Sequence, residues 1–211
     1  MLKQLDIVYA DSSLVVVNKP AGLLAVPGRG ADKADCVSLR APECYSDALI
    51  VHRLDQPTSG LMLLARGLEM QRRLCNLFET RQVHKEYVAV VHGLVDKDEG
   101  AIDLPLAADW PARPRQKIDP HHGKASVTHY RVLSRDLLAH TTRLALEPIT
   151  GRTHQLRVHL SAIGHPMVGD TLYGEEKAQG ISPRLLLHAQ HLALLHPASA
   201  LPMAWQMLAE F

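Results

Sequence analysis

The segment Val51–Arg66, VHRLDQPTSGLMLLAR, decides more about this chain than any other stretch of its sequence. Apolar runs at 48–51 and 60–64 predict two buried strands bounded by residues that break regular structure. Between the runs, the letters QPTSG predict a short turn. Alternation along a strand would place Arg53 and Asp55 on one face. Charges at the edge of a core are costly unless they are paired with each other or serve a function. The segment therefore predicts a functional carboxylate held by rigid elements.

Asp55 also has a purely structural interpretation. An aspartate before a turn rich in Pro, Thr, Ser and Gly commonly caps that turn by hydrogen bonding to nearby backbone N–H groups. Local sequence physics alone leaves both interpretations open.

The composition indicates an ordinary globular protein. Its 211 residues are 46% hydrophobic and 21% charged, which predicts one domain with a sizeable core. No apolar run approaches the ~18 residues that a membrane span needs, and the N-terminus lacks the apolar region and cleavage site of a signal peptide. Three cysteines without paired spacing predict reduced thiols in a cytosolic protein, not a disulfide framework or a zinc site.

The charge of the chain is small but unevenly distributed. A formal net charge of +1 does not favour nucleic-acid binding, because dedicated RNA binders are often strongly basic. The segment from Arg113 to Arg131, however, contains five basic residues and one acid. Such a run is typical of a solvated loop, but the tryptophan and prolines within 110–117 predict an extended, shaped segment. A local basic patch can bind phosphates, which makes Arg113, Arg115 and Lys117 candidates for such contacts.

Hydrophobic periodicity predicts an α+β fold. The predicted helices are 68–81 and 153–163, and the predicted strands are 6–9, 14–18, 86–94, 126–133, 142–146 and 185–195, besides the two runs beside Asp55. Residues 20–35 predict a loop. In the second helix, Leu156, Leu160 and Ile163 are predicted to point inward. Strands outnumber helices and do not alternate strictly with them, so we expect a largely antiparallel sheet with flanking helices.

Several other chemistries lack the residues that they require. The glycines at 28 and 30 are not followed by the third glycine of a dinucleotide fingerprint, and Gly123-Lys124 lacks the earlier glycine of a phosphate-binding loop. Thirteen histidines suggest a metal, but their spacings do not match the usual zinc motifs. A hydrolase acting through Ser59 would need a G-x-S-x-G elbow. The sequence therefore predicts neither a metal nor a nucleotide cofactor.

Several segments of the chain resemble the motifs of the RluA family of pseudouridine synthases. The stretch HRLDQPTSG at 52–60 resembles the catalytic motif HRLD-x-x-TSG, which carries the nucleophilic aspartate. The other similar segments are 17–23 (VNKPAGL), 85–89 (KEYVA), 151–159 (GRTHQLRVH), 164–170 (GHPMVGD), 173–174 (YG) and 184–189 (RLLLHA). The segment at 109–117 is most similar to one branch of the family, whose members modify both 23S rRNA and the tRNA anticodon loop.

The resemblance implies a fold and a set of catalytic residues. The fold is a mixed, largely antiparallel sheet with a central catalytic cleft, in one catalytic domain over residues 1–211 with no appended RNA-binding domain. Asp55 is implied to be the nucleophile, Tyr87 the active-site tyrosine, and Arg152 the basic residue that faces the aspartate. The implied targets are uridines at position 746 of 23S rRNA and position 32 of tRNA. The isomerisation is redox-neutral, so no cofactor is expected, and neither a membrane nor an obligatory protein partner is evident.

Other residues are predicted to bind the RNA substrate. These residues are Arg53, Leu186, Leu187, Arg113, Arg115 and Lys117. One of the two leucines would wall the uracil pocket, and Arg53 would fill the space of a flipped uridine or hold a flanking phosphate. Each assignment has a structural alternative: core packing for the leucines and Tyr87, ion pairing for Arg53 and Arg152, and a solvated loop for the basic segment.

Three alternative functions remain open at this point. The protein could modify only one RNA class, act as a catalytically silent RNA chaperone with the same fold, or be a nucleoside glycosylase or hydrolase. The retention of Asp55, Tyr87 and Arg152 argues against a silent relative. A hydrolase would need a second acid to activate water, and the sequence offers no evident candidate.

Overall fold

A computed structural model of the protein describes residues 4–28, 30, 34–174 and 176–211. Within that part of the chain, the strands are β1 (Asp6–Ala10), β2 (Leu14–Lys19), β3 (Ala48–Ile50), β4 (Ser59–Arg66), β5 (His84–His92), β6 (Glu99–Asp103), β7 (Leu106–Ala108), β8 (Gln116–Ile118), β9 (Val127–Asp136), β10 (Thr141–Pro148), β11 (Leu187–Leu195) and β12 (Pro202–Gln206). The helices are α1 (Val37–Cys44), α2 (Gly67–Glu79), α3 (Gln155–Ala162) and α4 (Glu176–Gln179). Residues 1–3 of the N-terminus and residues 29 and 31–33 of the predicted loop lie outside the described residues.

The architecture is α+β, which confirms the predicted fold class. Contacts divide the chain into two compact units, Met1–Lys85 with His188–Glu210, and Glu86–Leu187 with Phe211. Among the strand pairs within these units, β4 and β11 run parallel and the others run antiparallel. No helix of the described chain is long and apolar enough to cross a membrane. That the whole chain is a single catalytic domain stays a prediction.

The first unit is built on a sheet in which β1, β2, β4 and β11 lie in that order. Strand β3 also pairs with β4, and β12 pairs with β11. The central strand β4 is buried from Ser59 to Ala65 because its sequence is apolar on both faces. Helix α2 covers one of these faces, where Leu61, Leu63 and Leu74 share one apolar cluster. Each such leucine stabilises the unit by roughly 1.5–3 kcal/mol through burial.

Gly60 allows β4 and β11 to approach each other closely. Its φ is +109°, in the region that favours glycine, and a Cβ at this position would collide with the backbone of Ala189. The glycine of the TSG motif is thus required by the fold immediately after the loop that carries Asp55.

The second unit contains an antiparallel sheet in the order β5, β10, β9 and β6. Helix α3 packs against this sheet, and its buried Leu156 and Leu160 join the apolar cluster that includes Leu144 and Leu146. Strands β7 and β8 form a separate antiparallel hairpin in the same unit.

The predicted strand placement of Arg53 and Asp55 is wrong. Strand β3 ends at Ile50, and residues 51–58 form bends and a turn, so strand alternation does not put the two side chains on one face. The chain leaves the strand because a turn closes at Asp55–Thr58 and because the side chain of His52 engages the backbone of β4.

The predicted burial of Ile163 is also wrong. Helix α3 ends at Ala162, and Ile163 is 37% exposed, whereas Leu156 and Leu160 are buried as predicted. Gly164, with φ +86°, turns the chain away directly afterwards, which confirms its predicted role as the helix stop.

Candidate active site

Asp55 lies in the connection between β3 and β4 and is partly buried. The N–H of Thr58 donates to the backbone carbonyl of Asp55 at 3.1 Å and closes the turn. The backbone of Asp55 thus takes part in the turn that precedes β4.

The backbone next to Asp55 is clamped by Lys19, at the end of β2. Lys19 is fully buried, and its Nζ donates to the carbonyl oxygens of Pro20, Leu23 and Gln56 at 3.1, 2.7 and 3.2 Å. Burial of an ammonium group is costly unless hydrogen-bond acceptors surround it. The three carbonyl oxygens offset this cost, and the bonds hold the backbone of Gln56 in place. The clamp places the buried side chain of Lys19 against the backbone of Gln56, the residue that follows Asp55.

Gly22 adds a second connection to the same loop. Its N–H donates to the carbonyl of Gln56 at 2.8 Å, and Nε2 of Gln56 donates back to the carbonyl of Gly22 at 3.1 Å. The sequence analysis assigned no role to residues 19 and 22. The sequence could have indicated Lys19, because it ends an apolar strand and a buried lysine is almost always paired.

His52, the first residue of the HRLD stretch, anchors the loop from its other end. Its Nε2 accepts the N–H of Leu63 at 2.9 Å, and its ring stacks on Phe78 with centroids 4.4 Å apart. Burial, and to a lesser degree the charge of Lys85, lowers the pKa of His52 to about 3. The imidazole is therefore neutral at physiological pH, as its acceptor role requires.

Ser59 and His188 tie the end of the same turn to β11. Oγ of Ser59 lies 2.9 Å from Nδ1 of His188, and Nε2 of His188 lies 3.0 Å from the carbonyl oxygen of Met207. A carbonyl only accepts, so Nε2 carries the proton and Nδ1 accepts the serine O–H. Both side chains are buried, which indicates a structural link rather than an activated serine.

Arg53 is exposed in the loop between His52 and Asp55. An exposed cation two residues from the candidate nucleophile is available to a large anionic substrate. The structure thus keeps Arg53 as a candidate for RNA contact but does not test that role.

Tyr87 lies on β5 of the second unit, opposite Leu146 of β10. It is partly buried and packs against the apolar cluster around Leu144 and Leu146. Core packing therefore accounts for part of this ring, while the rest is exposed. The catalytic role stays a prediction.

The segment Gly151–His159 leads into helix α3. The N–H of Arg152 donates to Oε1 of Gln155 at 3.0 Å, while its exposed guanidinium lies 3.4 Å from the carbonyl of Ala125, which is a weak contact. Arg152 is thus accessible to substrate, and its predicted position facing Asp55 stays a prediction.

Arg157, in the same segment, was not considered in the sequence analysis. It is buried on α3, and its Nε and Nη2 donate to the two carboxylate oxygens of Asp170, each at 2.7 Å. Burial acts to raise the pKa of Asp170, but the bonds from Arg157 and from backbone N–H groups lower it further, so the carboxylate stays ionised. The sequence could have indicated Arg157, because the motif at 151–159 contains two arginines five residues apart, Arg152 and Arg157.

The two leucines of the predicted pocket wall differ in their environment. Leu187 is buried in the apolar cluster of the second unit, so core packing describes it. Leu186 is partly exposed, and its N–H and carbonyl bond with Val168 and Val90 at 3.0 and 3.1 Å. Leu186 is therefore the better candidate for contact with a base.

The predicted RNA-gripping segment forms a turn at the tip of the β7–β8 hairpin, and its predicted extended conformation is wrong. The N–H of Asp109 donates to the carbonyl of Arg115 at 2.9 Å and closes the hairpin across the turn. The guanidinium carbon of Arg113 lies 3.3 Å from the centroid of the exposed Trp110 ring. Arg113, Arg115 and Lys117 are all exposed. We call residues 106–118, which comprise β7, the turn and β8, the basic hairpin.

The described residues contain no group of three or more His, Cys, Asp or Glu side chains arranged to hold a metal ion. The three cysteines are not joined by disulfides; Cys36 is buried, and Cys44 and Cys75 are exposed. The expectation that no cofactor is needed stays a prediction.

Comparisons with known proteins agree with the motifs of this chain. Residues 13–162 match the model of the RNA pseudouridylate synthase family. The dual-specificity RNA pseudouridine synthase RluA of Yersinia pestis is 46% identical over 97% of this chain and 99% of its own length. The corresponding protein of Escherichia coli K12 is 45% identical over 98% of this chain and 94% of its own.

A solved structure extends the similarity to the fold. The human RNA pseudouridylate synthase domain containing 1 superposes with a TM-score of 0.83 at 29% identity, covering 100% of this chain and 86% of that one. With the family model matching more than two thirds of its length, this chain belongs to the RNA pseudouridylate synthase family.

Proposed function

We propose that this protein isomerises specific uridines to pseudouridine in structured RNA stem-loops, with targets in both ribosomal and transfer RNA. The single observation that carries the proposal is Asp55, in a family-matching motif, on a loop whose backbone is fixed by Lys19, Gly22 and His52. Rigid support of this kind is what a nucleophile needs for accurate placement against its substrate. The dual-specificity name of the bacterial relatives supports two RNA classes.

The proposed chemistry exchanges one bond to the ribose for another. The carboxylate of Asp55 attacks C1′ of the target nucleoside, and the N1–C1′ bond breaks with its electron pair remaining on uracil. The uracil then turns, C5 bonds to C1′, and the carboxylate departs. The proton on C5 is finally removed and N1 takes up a proton from solvent, which restores the conjugated ring, so atoms balance and nothing is oxidised or reduced.

Each remaining candidate residue has one proposed task. Tyr87 stacks on the base and assists removal of the C5 proton, and Arg152 is the basic residue that the family motif supplies to the reaction. Leu186 provides an apolar wall for the base. Arg53 takes the space that the flipped uridine leaves, since a base within a stack is inaccessible to the nucleophile.

The basic hairpin is proposed to grip the RNA. Its exposed Arg113, Arg115 and Lys117 supply charge for phosphates, and Trp110 supplies a ring on which a base can stack. These contacts suit a single-stranded loop, whose bases can be splayed, better than an A-form duplex. We propose that the protein acts in the cytoplasm, where both RNA classes occur.

The experiment is tritium release from RNA that carries 5-tritiated uridine. We expect release from an anticodon stem-loop and from a hairpin of 23S rRNA, at the proposed positions 32 and 746, with excess chelator present and the RNA folded beforehand. Release from one substrate alone would limit the protein to one RNA class. Tight binding of both without release would favour the silent chaperone, and free uracil as a product would favour a glycosylase.

Chemical mapping of pseudouridine in cellular RNA tests the same proposal independently. RNA from cells with and without the gene should differ at the proposed uridines, and complementation with the intact gene should restore the modification. Identical maps in both cell types would contradict the proposed targets.

A further inference from the structure

Tyr173 connects the basic hairpin, which is proposed to bind RNA, to the segment Gly151–His159, which contains the proposed catalytic Arg152. Its side chain is buried and packs with Leu106 and Val158 in a small apolar cluster. Its hydroxyl oxygen lies 2.7 Å from the backbone N of Gln116, in the basic hairpin, and 2.7 Å from Nδ1 of His154, which precedes α3. One phenol group therefore links the hairpin to the segment that contains Arg152.

The hydroxyl of Tyr173 makes two hydrogen bonds, one of which has a defined direction. The N–H of Gln116 can only donate, so the phenol oxygen accepts there, while the direction of the hydrogen bond with Nδ1 of His154 follows the tautomer of that imidazole. Both distances are at the short end for such bonds. The imidazole of His154 is thereby held against the phenol group.

The ring of Tyr173 is also close to two arginines. The guanidinium carbons of Arg115 and Arg157 lie 5.4 and 5.1 Å from the ring centroid, within the range of cation–π attraction. Arg115 belongs to the basic hairpin and Arg157 to α3. The backbone of Tyr173 is itself fixed, because its N–H donates to Asp170 and its carbonyl accepts from Ser161.

His154 is a residue that needs such a restraint. Its φ is +54°, in the left-handed region that few non-glycine residues adopt, and as the residue before α3 it makes no side-chain cap hydrogen bond. Residues in this conformation persist only where surrounding contacts fix them. The bond from Tyr173 is one such contact, and Arg152 lies only two residues earlier in the chain.

We propose that Tyr173 is a positioning residue that couples RNA binding at the basic hairpin to the placement of Gly151–His159. This inference rests on the proposed function. When the hairpin grips an RNA loop, the restraint passes from Gln116 and Arg115 through Tyr173 to His154. Contacts at the hairpin then influence the rate of the chemical step as well as the affinity for RNA.

The first test is Tyr173→Phe, which removes the hydroxyl and keeps the ring. The variant removes the hydrogen-bond partner of the partly buried Gln116 N–H and of Nδ1 of His154, so we expect the single-turnover rate at saturating stem-loop RNA to fall roughly tenfold. Circular dichroism at the assay temperature checks that the variant is folded. Tyr130→Phe, which removes another partly buried tyrosine hydroxyl of the second unit, is the matched control and should leave the rate unchanged.

The decisive measurement is a double-mutant cycle between Tyr173→Phe and Arg115→Ala. In the presence of Tyr173, Arg115→Ala should lower both the affinity for RNA and the single-turnover rate at saturating RNA. In the Phe background it should lower only the affinity, because the connection to the rate is already broken. Strictly additive effects on the rate would overturn the coupling, since independent residues add.

A second variant keeps the test informative if Tyr173→Phe folds poorly. His154→Asn suits the left-handed backbone and removes the ring nitrogen that is hydrogen-bonded to the phenol, so it should show the same non-additivity with Arg115→Ala. Failure of the wild-type protein to release tritium would refute the proposed function itself. An active wild type with additive variants would refute the coupling alone.

Discussion

At the scale of single residues, the buried polar side chains around Asp55 serve mainly to fix backbone. Lys19 binds three carbonyls, and His52 and Ser59 connect the two ends of the loop to β4 and β11. Each is placed where leaving it unpaired would be costly, which favours one loop conformation over others. The candidate nucleophile therefore gains its position from neighbours that need not touch the substrate.

Asp55→Asn should abolish turnover while RNA binding remains nearly normal. The amide has almost the same shape as the carboxylate but is not a nucleophile at C1′, and affinity for RNA comes largely from phosphate contacts. Tritium release and a filter-binding assay measure the two quantities. Asp47→Asn, at an exposed aspartate of the same unit, is the control and should keep its activity. Near wild-type release by Asp55→Asn would remove the nucleophile assignment.

Substitutions of Tyr87 should separate the ring from the hydroxyl. Tyr87→Phe keeps stacking and should slow the single-turnover rate with little change in affinity, because the hydroxyl serves proton transfer. Tyr87→Ala should harm both, since stacking contributes ~1–3 kcal/mol per base. If both variants turn over at near-normal rates, Tyr87 is simply a packing residue beside Leu146.

At the scale of elements, the basic hairpin depends on the second unit for its shape. Strands β7 and β8 are only three residues each, too short to be stable alone, and the bond between Gln116 and Tyr173 supports them. The tip is free to present Trp110 and Arg113, which already stack on each other. A hairpin whose strands are supported and whose tip is exposed is suited to recognition of a deformable RNA loop.

Removing two charges from the hairpin should reduce the salt dependence of RNA binding. Arg113→Ala with Arg115→Ala should weaken affinity and lower the slope of log K against log salt by about 1–1.5, as expected for two lost phosphate contacts on single-stranded RNA. Titrations at several salt concentrations measure the slope. Arg72→Ala with Arg73→Ala, an exposed pair on α2, is the matched control and should leave the slope unchanged. An unchanged slope in the hairpin variant would exclude its role.

The same hairpin predicts discrimination between loops and duplexes. A target uridine in a stem-loop should be modified readily, and the same uridine locked within a perfect duplex should be modified poorly, because A-form grooves conceal bases. Comparable modification of both substrates would contradict recognition by distortion of a loop.

The sequence was informative about elements that have strong local patterns. Helix α2 is recognisable because Met70, Leu74 and Leu77 recur at helical spacing, and the structure packs all three in one cluster. Helix α1 was missed because it contains Pro42 and lacks a clear apolar stripe, and its buried Arg40 is accommodated by an ion pair with Asp35. An ion pair that allows a charged side chain to be buried cannot be predicted from hydrophobic periodicity.

The candidate site was predictable only where a motif marks it. The motifs pointed to Asp55, Tyr87 and Arg152, but the clamp of Lys19 on Gln56 joins positions 37 residues apart. The link between Ser59 and His188 spans 129 residues. Contacts at such separations depend on the tertiary fold, so the residues that support the loop were beyond local reasoning from the sequence.

At the scale of the whole molecule, two histidines with lowered pKa values should make stability depend on pH. The pKa of His52 is lowered to about 3 in the folded protein, and burial also lowers the pKa of His159. The unfolded chain binds these protons near pH 6.5, so the free energy of unfolding should fall as the pH drops from about 6.5 toward 3. The lowered pKa of Asp170 affects stability in a different pH range. Its contribution to the free energy of unfolding is lost only as the pH falls below the unfolded-state pKa of about 4.

His52→Gln should remove much of this pH dependence. Gln can still accept the N–H of Leu63 but does not titrate, so the variant should lose about 2 kcal/mol less stability than the wild type between pH 7 and pH 5. Urea unfolding at the two pH values measures the difference. His122→Gln, at an exposed histidine, is the control and should behave as the wild type does. Equal losses in His52→Gln and wild type would mean that His52 takes up its proton without unfolding the loop, and the neutral anchor assigned to it beside Asp55 would then be wrong.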